Sequence, residues 1–342
     1  MRIKEACLRR KKMKKMITIK DIAERAGVAK STVSNVFSNK KYVSPEIKER
    51  VMRICKELDF QPNFYAASLS NKQNTNLIGL FLEAGEYLPF YNDLMKAILI
   101  ESAKNSYNVI VYYGLNNDEI HNKIMYGRSP IDGAILLSPS FDDERINSMQ
   151  MNMIPSVIIG RPDQNIPCST IDTDNKLLVK EVVKKIIDGN GMNIFMINSN
   201  EKLTISNDRK LGFKEAMNLS EEEIEKRIFY SKQSTKEDGY YFAIKSIKQN
   251  CDAIITASEK IALGVYEACN DLNKTIGKDV KVFSLGYSSN ISFNPGLACA
   301  TQDYLEIGEK SVKLLIEKIN NPTENKNILV KSNIYYNESL EN

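Results

Sequence analysis

The sequence predicts a small all-α head followed by a larger α/β body of two doubly wound parallel sheets. Three observations lead there. Residues 17–61 divide into three short helical segments separated by caps and a Gly turn. From residue 77 onward, strand-length Val/Ile/Leu runs alternate with amphipathic stretches, as in parallel sheets covered on both faces. These units are too many for one comfortable sheet, and 342 residues allow two or three domains.

In the head, Thr18 stands three residues before Asp21, the capping-box spacing in its Asp form, and opens a helix over Ile19 to Ala26. Ile22, Ala23 and Ala26 form its apolar stripe. Gly27 supplies the left-handed residue that ends it. A second helix over Lys30 to Phe37 turns Val33, Val36 and Phe37 inward. Lys30, Ser31, Ser34, Asn35 and Ser38 then face outward. Short polar donors and a cation are the side chains that reach phosphates and base edges in a major groove. Ser44, Pro45 and Glu46 start a third helix running to about Asp59, with Ile47, Val51, Ile54 and Leu58 inward. The layout is that of a helix-turn-helix reader of duplex DNA.

Charge agrees. Residues 1–72 carry 18 Lys or Arg against 7 Asp or Glu, while the whole chain is only +4. A basic head on an acidic body suits a polyanion at one end. Residues 1–16 read as a basic arm, either contacting DNA or lying upstream of the natural start codon. No apolar core follows them, so they are no signal peptide.

Composition excludes other classes. No run of about 18 apolar residues is present to cross a membrane. The six Cys, at 7, 55, 168, 251, 269 and 299, have no metal or C-x-x-C spacing. They read as free thiols in a reducing cytoplasm. His121 is the only histidine and falls in a polar helix over 118–126, a poor catalytic base. No phosphate-loop, dinucleotide or zinc motif appears, so no enzyme, cofactor or metal is expected.

In the body, strands are expected at 77–82, 108–113, 132–137, 155–160, 193–198, 227–230, 252–257 and 280–285. Helices are expected near 90–105, 118–126, 142–151, 175–188, 208–218, 236–250, 259–272 and 304–319. Leu94, Ala97 and Ile98 share a face that either packs on the sheet or meets a second subunit. No Leu heptad follows Tyr336.

The motifs TIKDIAERAGV, STVS, YVSPEIKERV and PNFYAASL, in this order and spacing, resemble the lactose-repressor-type (LacI/GalR) family of bacterial transcription regulators. The resemblance spans essentially the whole chain. It implies that the second helix is the recognition helix, with Lys30, Ser31 and Asn35 as base-edge readers. Thr18, Thr32, Ser34, Asn39 and Tyr42 complete the DNA set. Residues 62–75 would be a hinge helix and linker that orders on operator DNA. Asn63 and Ala66 belong to this hinge, and Leu69 would wedge into the minor groove. Three departures stand out. Asn35 replaces the usual Arg, exchanging a guanine preference for adenine. Ala29 replaces a capping Ser, and Ala67 a polar hinge residue.

For residues 76–342 the resemblance implies a periplasmic-binding-protein-like core of two lobes, crossed three times, near Thr173, Thr301 and Asn325. The N-subdomain would hold about 76–173 and 302–324, the C-subdomain about 174–301 and 325–342. A small effector would bind between them and shift operator affinity in a homodimer. Arg209, in NDRKLGF, matches the arginine that holds effector oxygens. Ser258 with Glu259 stands where Asn-Asp is usual, and Ser288 where an Asp accepts sugar hydroxyls. Phe90, Arg161, Asp172, Ser234 and Gln302 complete the candidate pocket. The missing Asp puts a plain sugar in its usual pose in doubt, and Arg161 with Arg209 suits an anionic phosphosugar. A protein co-repressor in place of a metabolite is the alternative.

Overall fold

The computed structural model describes residues 18–38, 41–58, 75–82, 91–114, 131–163, 166–287, 296–321 and 324–340. The expected arm, hinge helix and 118–126 helix with His121 lie outside them. Two compact units divide at Thr75 and Asn76.

The first unit holds α1 (Ile19–Ala26), α2 (Lys30–Ser38) and α3 (Pro45–Glu57). The capping box at the start of α1 is complete. The Thr18 amide donates to Asp21 Oδ2 at 2.7 Å, and the Asp21 amide donates back to Thr18 Oγ1 at 3.4 Å. Gly27 ends α1 at φ 63°, a conformation a Cβ disfavours. Ile22, Ala23, Ala26, Val33, Val36, Val51, Ile54 and Cys55 form one small core, with Phe37, Ile47 and Leu58 packed against it.

The second unit contains two sheets. Its strands are β1 (Leu77–Leu82), β2 (Asn108–Tyr113), β3 (Gly133–Leu137), β4 (Ser156–Ile159), β5 (Ser169–Asp172), β6 (Ile194–Asn198), β7 (Ile228–Tyr230), β8 (Ala253–Thr256), β9 (Lys281–Ser284), β10 (Ala298–Gln302), β11 (Asn327–Leu329) and β12 (Ser332–Tyr335). Between them run α4 (Asn92–Lys104), α5 (Glu144–Met151), α6 (Asn175–Asp188), α7 (Thr204–Met217), α8 (Glu221–Arg227), α9 (Lys236–Ile247), α10 (Glu259–Asp271) and α11 (Tyr304–Asn320). The first sheet has the order β11-β5-β4-β3-β1-β2 and the second β12-β10-β9-β8-β6-β7. Among the described strands all pairings are parallel except β10 with β12, an antiparallel edge.

Each sheet is covered on both faces. From β1, Ile78, Leu80 and Leu82 join the cluster under α4 and α11, while Phe81 joins Ile146 and Met149 of α5. In the second sheet, Met196 packs toward α6 and α7, and Phe195 and Ile197 pack toward α9 and α10. Leu94, Ala97 and Ile98 of α4 are buried in this packing.

The sheet memberships move one expected boundary. β11 pairs with β5 in the first sheet, so the last passage between lobes falls at Val330 and Lys331 rather than near Asn325. The cause is a short strand whose amides complete the β5 edge: the Thr170 N–H donates to the Lys326 carbonyl at 2.9 Å and the Val330 N–H to that of Asp172 at 2.8 Å. The helix expected from residue 208 begins at Thr204, and α8 was not expected at all.

Candidate ligand cleft and DNA-reading helix

On α2 the buried side chains are Val33 and Val36, whereas Lys30 and Ser31 are exposed and Thr32, Ser34 and Asn35 are half-buried. A nine-residue helix thus keeps an apolar edge on α1 and α3 and a polar edge free. The Ala29 carbonyl accepts from the Thr32 and Val33 N–H groups, but its side chain has no oxygen to cap the helix. Tyr42 is 88% exposed just before α3. The hydroxyl of Thr18 is engaged with Asp21, which gives this residue a capping role whatever else it touches. Asn39, Asn63, Ala66 and Leu69 lie outside the described residues.

In the core, the strands of the two lobes present their carboxyl ends to one another across a cleft, the usual ligand position in open parallel sheets. Its wall includes Ser138 after β3, Gly160 after β4, Asp172 ending β5, Ser199 after β6, Ser234 after β7 and Ser258 after β8. Asp172, Arg209, Ser234, Ser258 and Gln302 of the expected pocket are therefore brought together. Phe90 and Ser288 lie outside the described residues. Reading the sequence missed Tyr91, Ser138, Asn200, Lys232 and Tyr304, which also line the cleft. Ser138, Asn200 and Lys232 sit in short segments just after strands and Tyr91 just before α4, where no periodicity marks an inward side chain. Only the closeness of Tyr304 to Gln302 was a usable signal.

Arg209 dominates the electrostatics. It sits in the second turn of α7, is 4% exposed, and its Nε is buried without a hydrogen-bond partner. Burial lowers its pKa to about 10 against the countering pull of Tyr304, Tyr91, Asp172 and Asp208. Across from it, burial raises the Asp172 carboxyl to about 7. The Thr173 amide, donating to Asp172 Oδ1 at 2.7 Å, only partly offsets this.

Arg161 takes a different part from the one expected. Its guanidinium reaches from just after β4 in one lobe to Asp208 on α7 in the other, as an ion pair with a second contact from Nε at 3.3 Å. Its side chain is 59% exposed, and it does not line the cleft. Ser258 also has a structural task, since its hydroxyl caps α10 by accepting from the Ile261 N–H at 3.4 Å.

Other bonds join the lobes beside this ion pair. The Phe141 N–H donates to the Lys202 carbonyl at 2.9 Å, and the Thr204 N–H and hydroxyl both donate to the Pro139 carbonyl at 3.1 Å. Arg145 stiffens this segment from below. It is 4% exposed, pairs with Asp143 at 2.6 Å and donates to the carbonyls of Leu137 and Ser138 at 3.0 and 3.2 Å. Ser138 and Ser234, facing the cleft from opposite lobes, both hold positive φ, 49° and 48°. Non-Gly residues in that region are uncommon and concentrate where the surroundings fix them for a purpose.

Comparison with known proteins agrees with both halves. The family model for bacterial regulatory proteins of the lacI family matches residues 18–63, and that for a periplasmic binding protein-like domain matches 190–340. The HTH-type transcriptional regulator MalR of Streptococcus pneumoniae is 31% identical over 326 residues, covering 91% of this chain and 95% of its own. The ribose operon repressor of Haemophilus influenzae is 29% identical over 324 residues, covering 92% of this chain and 96% of its own. Among solved structures, the lac repressor dimer bound to operator and anti-inducer has a TM-score of 0.79 at 20% identity, over 96% of this chain and 100% of that one. A complex of the transcriptional regulator CelR with cellobiose has a TM-score of 0.70 at 22% identity, over 94% of this chain and 99% of that one. Among the described residues no helix is long and apolar enough to cross a membrane. With its helix-turn-helix head and two-lobed core, the chain belongs to the lacI family of DNA-binding bacterial transcriptional regulators.

Proposed function

We propose that this regulator is a cytoplasmic homodimeric repressor of a carbohydrate-utilisation operon. A sugar or phosphosugar bound between the core lobes would control its affinity for the operator. The observation that carries the reading is the cleft itself: a buried arginine without a hydrogen bond at Nε, surrounded by serine hydroxyls and amides, where strand ends of two lobes converge. Buried polar groups normally find partners, so an incomplete set in a cleft is what a polar ligand completes. Relatives include a ribose operon repressor and a regulator solved with cellobiose, which supports a carbohydrate as the ligand.

On the DNA side, Lys30, Ser31, Thr32, Ser34 and Asn35 of α2, with Asn39 and Tyr42, read and anchor the duplex. The hinge residues Asn63, Ala66 and Leu69 act in the minor groove. A dimer places one such reader on each half-site. Support for dimerisation comes from the edge of the first sheet. There Leu99 and Ile100 of α4 and Val111 and Tyr113 of β2 are 46, 46, 43 and 47% exposed. Ligand that favours one arrangement of the lobes orders or releases the two hinges. Ligand and operator thereby share one coupling free energy.

Fluorescence-anisotropy titration of a palindromic duplex library, with and without a panel of sugars and sugar phosphates, tests the proposal. The expected result is tight, salt-sensitive, sequence-selective binding that one compound shifts. Selective binding indifferent to every ligand of the core would remove the effector role.

A further inference from the structure

We propose that the ligand of the inter-lobe cleft is an oxyanion on a small hydroxylated body, its charged group held by Arg209 and by Lys232. The inference rests on the effector reading above and narrows it. Arg161, which on sequence grounds suited the same charge, is spent on Asp208.

The charges around the cleft favour an anion once this pairing is subtracted. Asp208, the acid next to Arg209 in sequence, is held by Arg161 from the other lobe. Arg209 itself makes no ion pair with either Asp208 or Asp172, and its Nε has no partner. Lys232, exposed on the loop after β7, lines the same cavity and makes no described ion pair. Against these two cations the lining holds one acid, Asp172, whose Oδ1 already accepts from the Thr173 amide. Glu259 is 1% exposed and is not part of the lining. A buried guanidinium presents planar donors that match the oxygens of a phosphate or carboxylate, whereas a neutral hydroxyl satisfies it only in part. Lys232 adds a mobile point charge at the cavity wall, able to follow the anion. Ser138, Ser199, Asn200 and Ser234 supply donors and acceptors for the hydroxylated remainder.

The test uses the full chain and inorganic phosphate as the probe. Melting of the core is followed in rising phosphate against potassium chloride of equal ionic strength, for the native protein, Lys232→Ala and Arg209→Lys. Native protein should be stabilised saturably by phosphate beyond chloride. Lys232→Ala should raise the half-saturating concentration at least about threefold, as loss of one cation from a two-cation anion site does. Lys232 is exposed, so this variant keeps the test sound even where Arg209→Lys fails to fold. Phosphate acting no better than chloride, or equally on native protein and Lys232→Ala, overturns the proposal. Glucose 6-phosphate and glucuronate, each measured against glucose, separate a phosphate from a carboxylate as the charged group. Preference for glucose over both charged partners, with operator affinity still shifted, overturns the anion while leaving the effector reading intact.

Discussion

Replacing Asp172 with Asn should stabilise the core, and by an amount that depends on pH. Burial raises this carboxyl from its ordinary 3.8 to about 7. The proximity of Asp208 raises it further, while the Thr173 amide, Arg161 and Arg209 pull the other way. A folded-state pKa above the unfolded one means the folded state holds its proton longer. The stability this group contributes is therefore fully present below pH 3.8 and is lost as pH climbs toward 7. At 1.36 kcal/mol per unit, the loss reaches about 4 kcal/mol at pH 8 and about 2 kcal/mol at pH 5. Asn carries no charge to desolvate and keeps an oxygen for the Thr173 amide, now bonded at 2.7 Å. Asp172→Asn should thus gain roughly two to three times as much at pH 8 as at pH 5. Urea unfolding of the full chain at both pH values, followed by circular dichroism and by tyrosine fluorescence because Trp is absent, measures this. Equal gains at the two pH values, or a loss at pH 8, would refute the account of a desolvated carboxyl.

Two further changes probe the packing and the DNA reader. α9 and α10 cross with Gly239 and Gly264 at the contact, where a Cβ on Gly264 would lie 2.0 Å from the Lys236 carbonyl and one on Gly239 would lie 2.1 Å from that of Ile261. Gly264→Ala should therefore cost about 3 kcal/mol or more, read as a lower urea midpoint with unchanged slope, although Ala is the better helix former. Asn35→Arg on α2 should move base preference at one position of each half-site from adenine to guanine, by about 1–3 kcal/mol. Anisotropy against duplexes differing at that position would show the exchange, and an unchanged preference would remove Asn35 from the base-reading set.

Much of the fold was legible because many of its strands, central β1 and edge β2 among them, are continuous apolar runs. β1 and β2 coincide with the expected segments, and the helix over 175–188 is reproduced to the residue. The capping box at Thr18 was legible because its chemistry is local. What escaped lies at edges and in long-range contacts. β5, β10, β11 and β12 are short and carry Ser, Thr, Asn or Gln; β11 and β12 are sheet edges and β5 and β10 stand next to them, where strands need not be apolar throughout. α8 has a single buried side chain, Ile224, too little for a periodic signal. α7 begins a turn earlier than expected because Thr204 is anchored to the Pro139 carbonyl of the other lobe rather than by a local cap. At the site, Arg209 was found through its motif, but the partner of Arg161 lies 47 residues away and no spacing points to it. Lys232 sits in a loop, where sequence periodicity says nothing about direction.

The central claim is that one free energy links the cleft to the DNA-reading head. The measurement that meets it most directly compares two ratios on the same full-length protein at one salt concentration. One is operator affinity with and without saturating ligand, by anisotropy. The other is ligand affinity with and without saturating operator, by calorimetry. The account predicts equal factors, typically 5- to 150-fold, because linkage between two sites is reciprocal. Ligand binding to the cleft with an affinity that operator DNA leaves unchanged would contradict it.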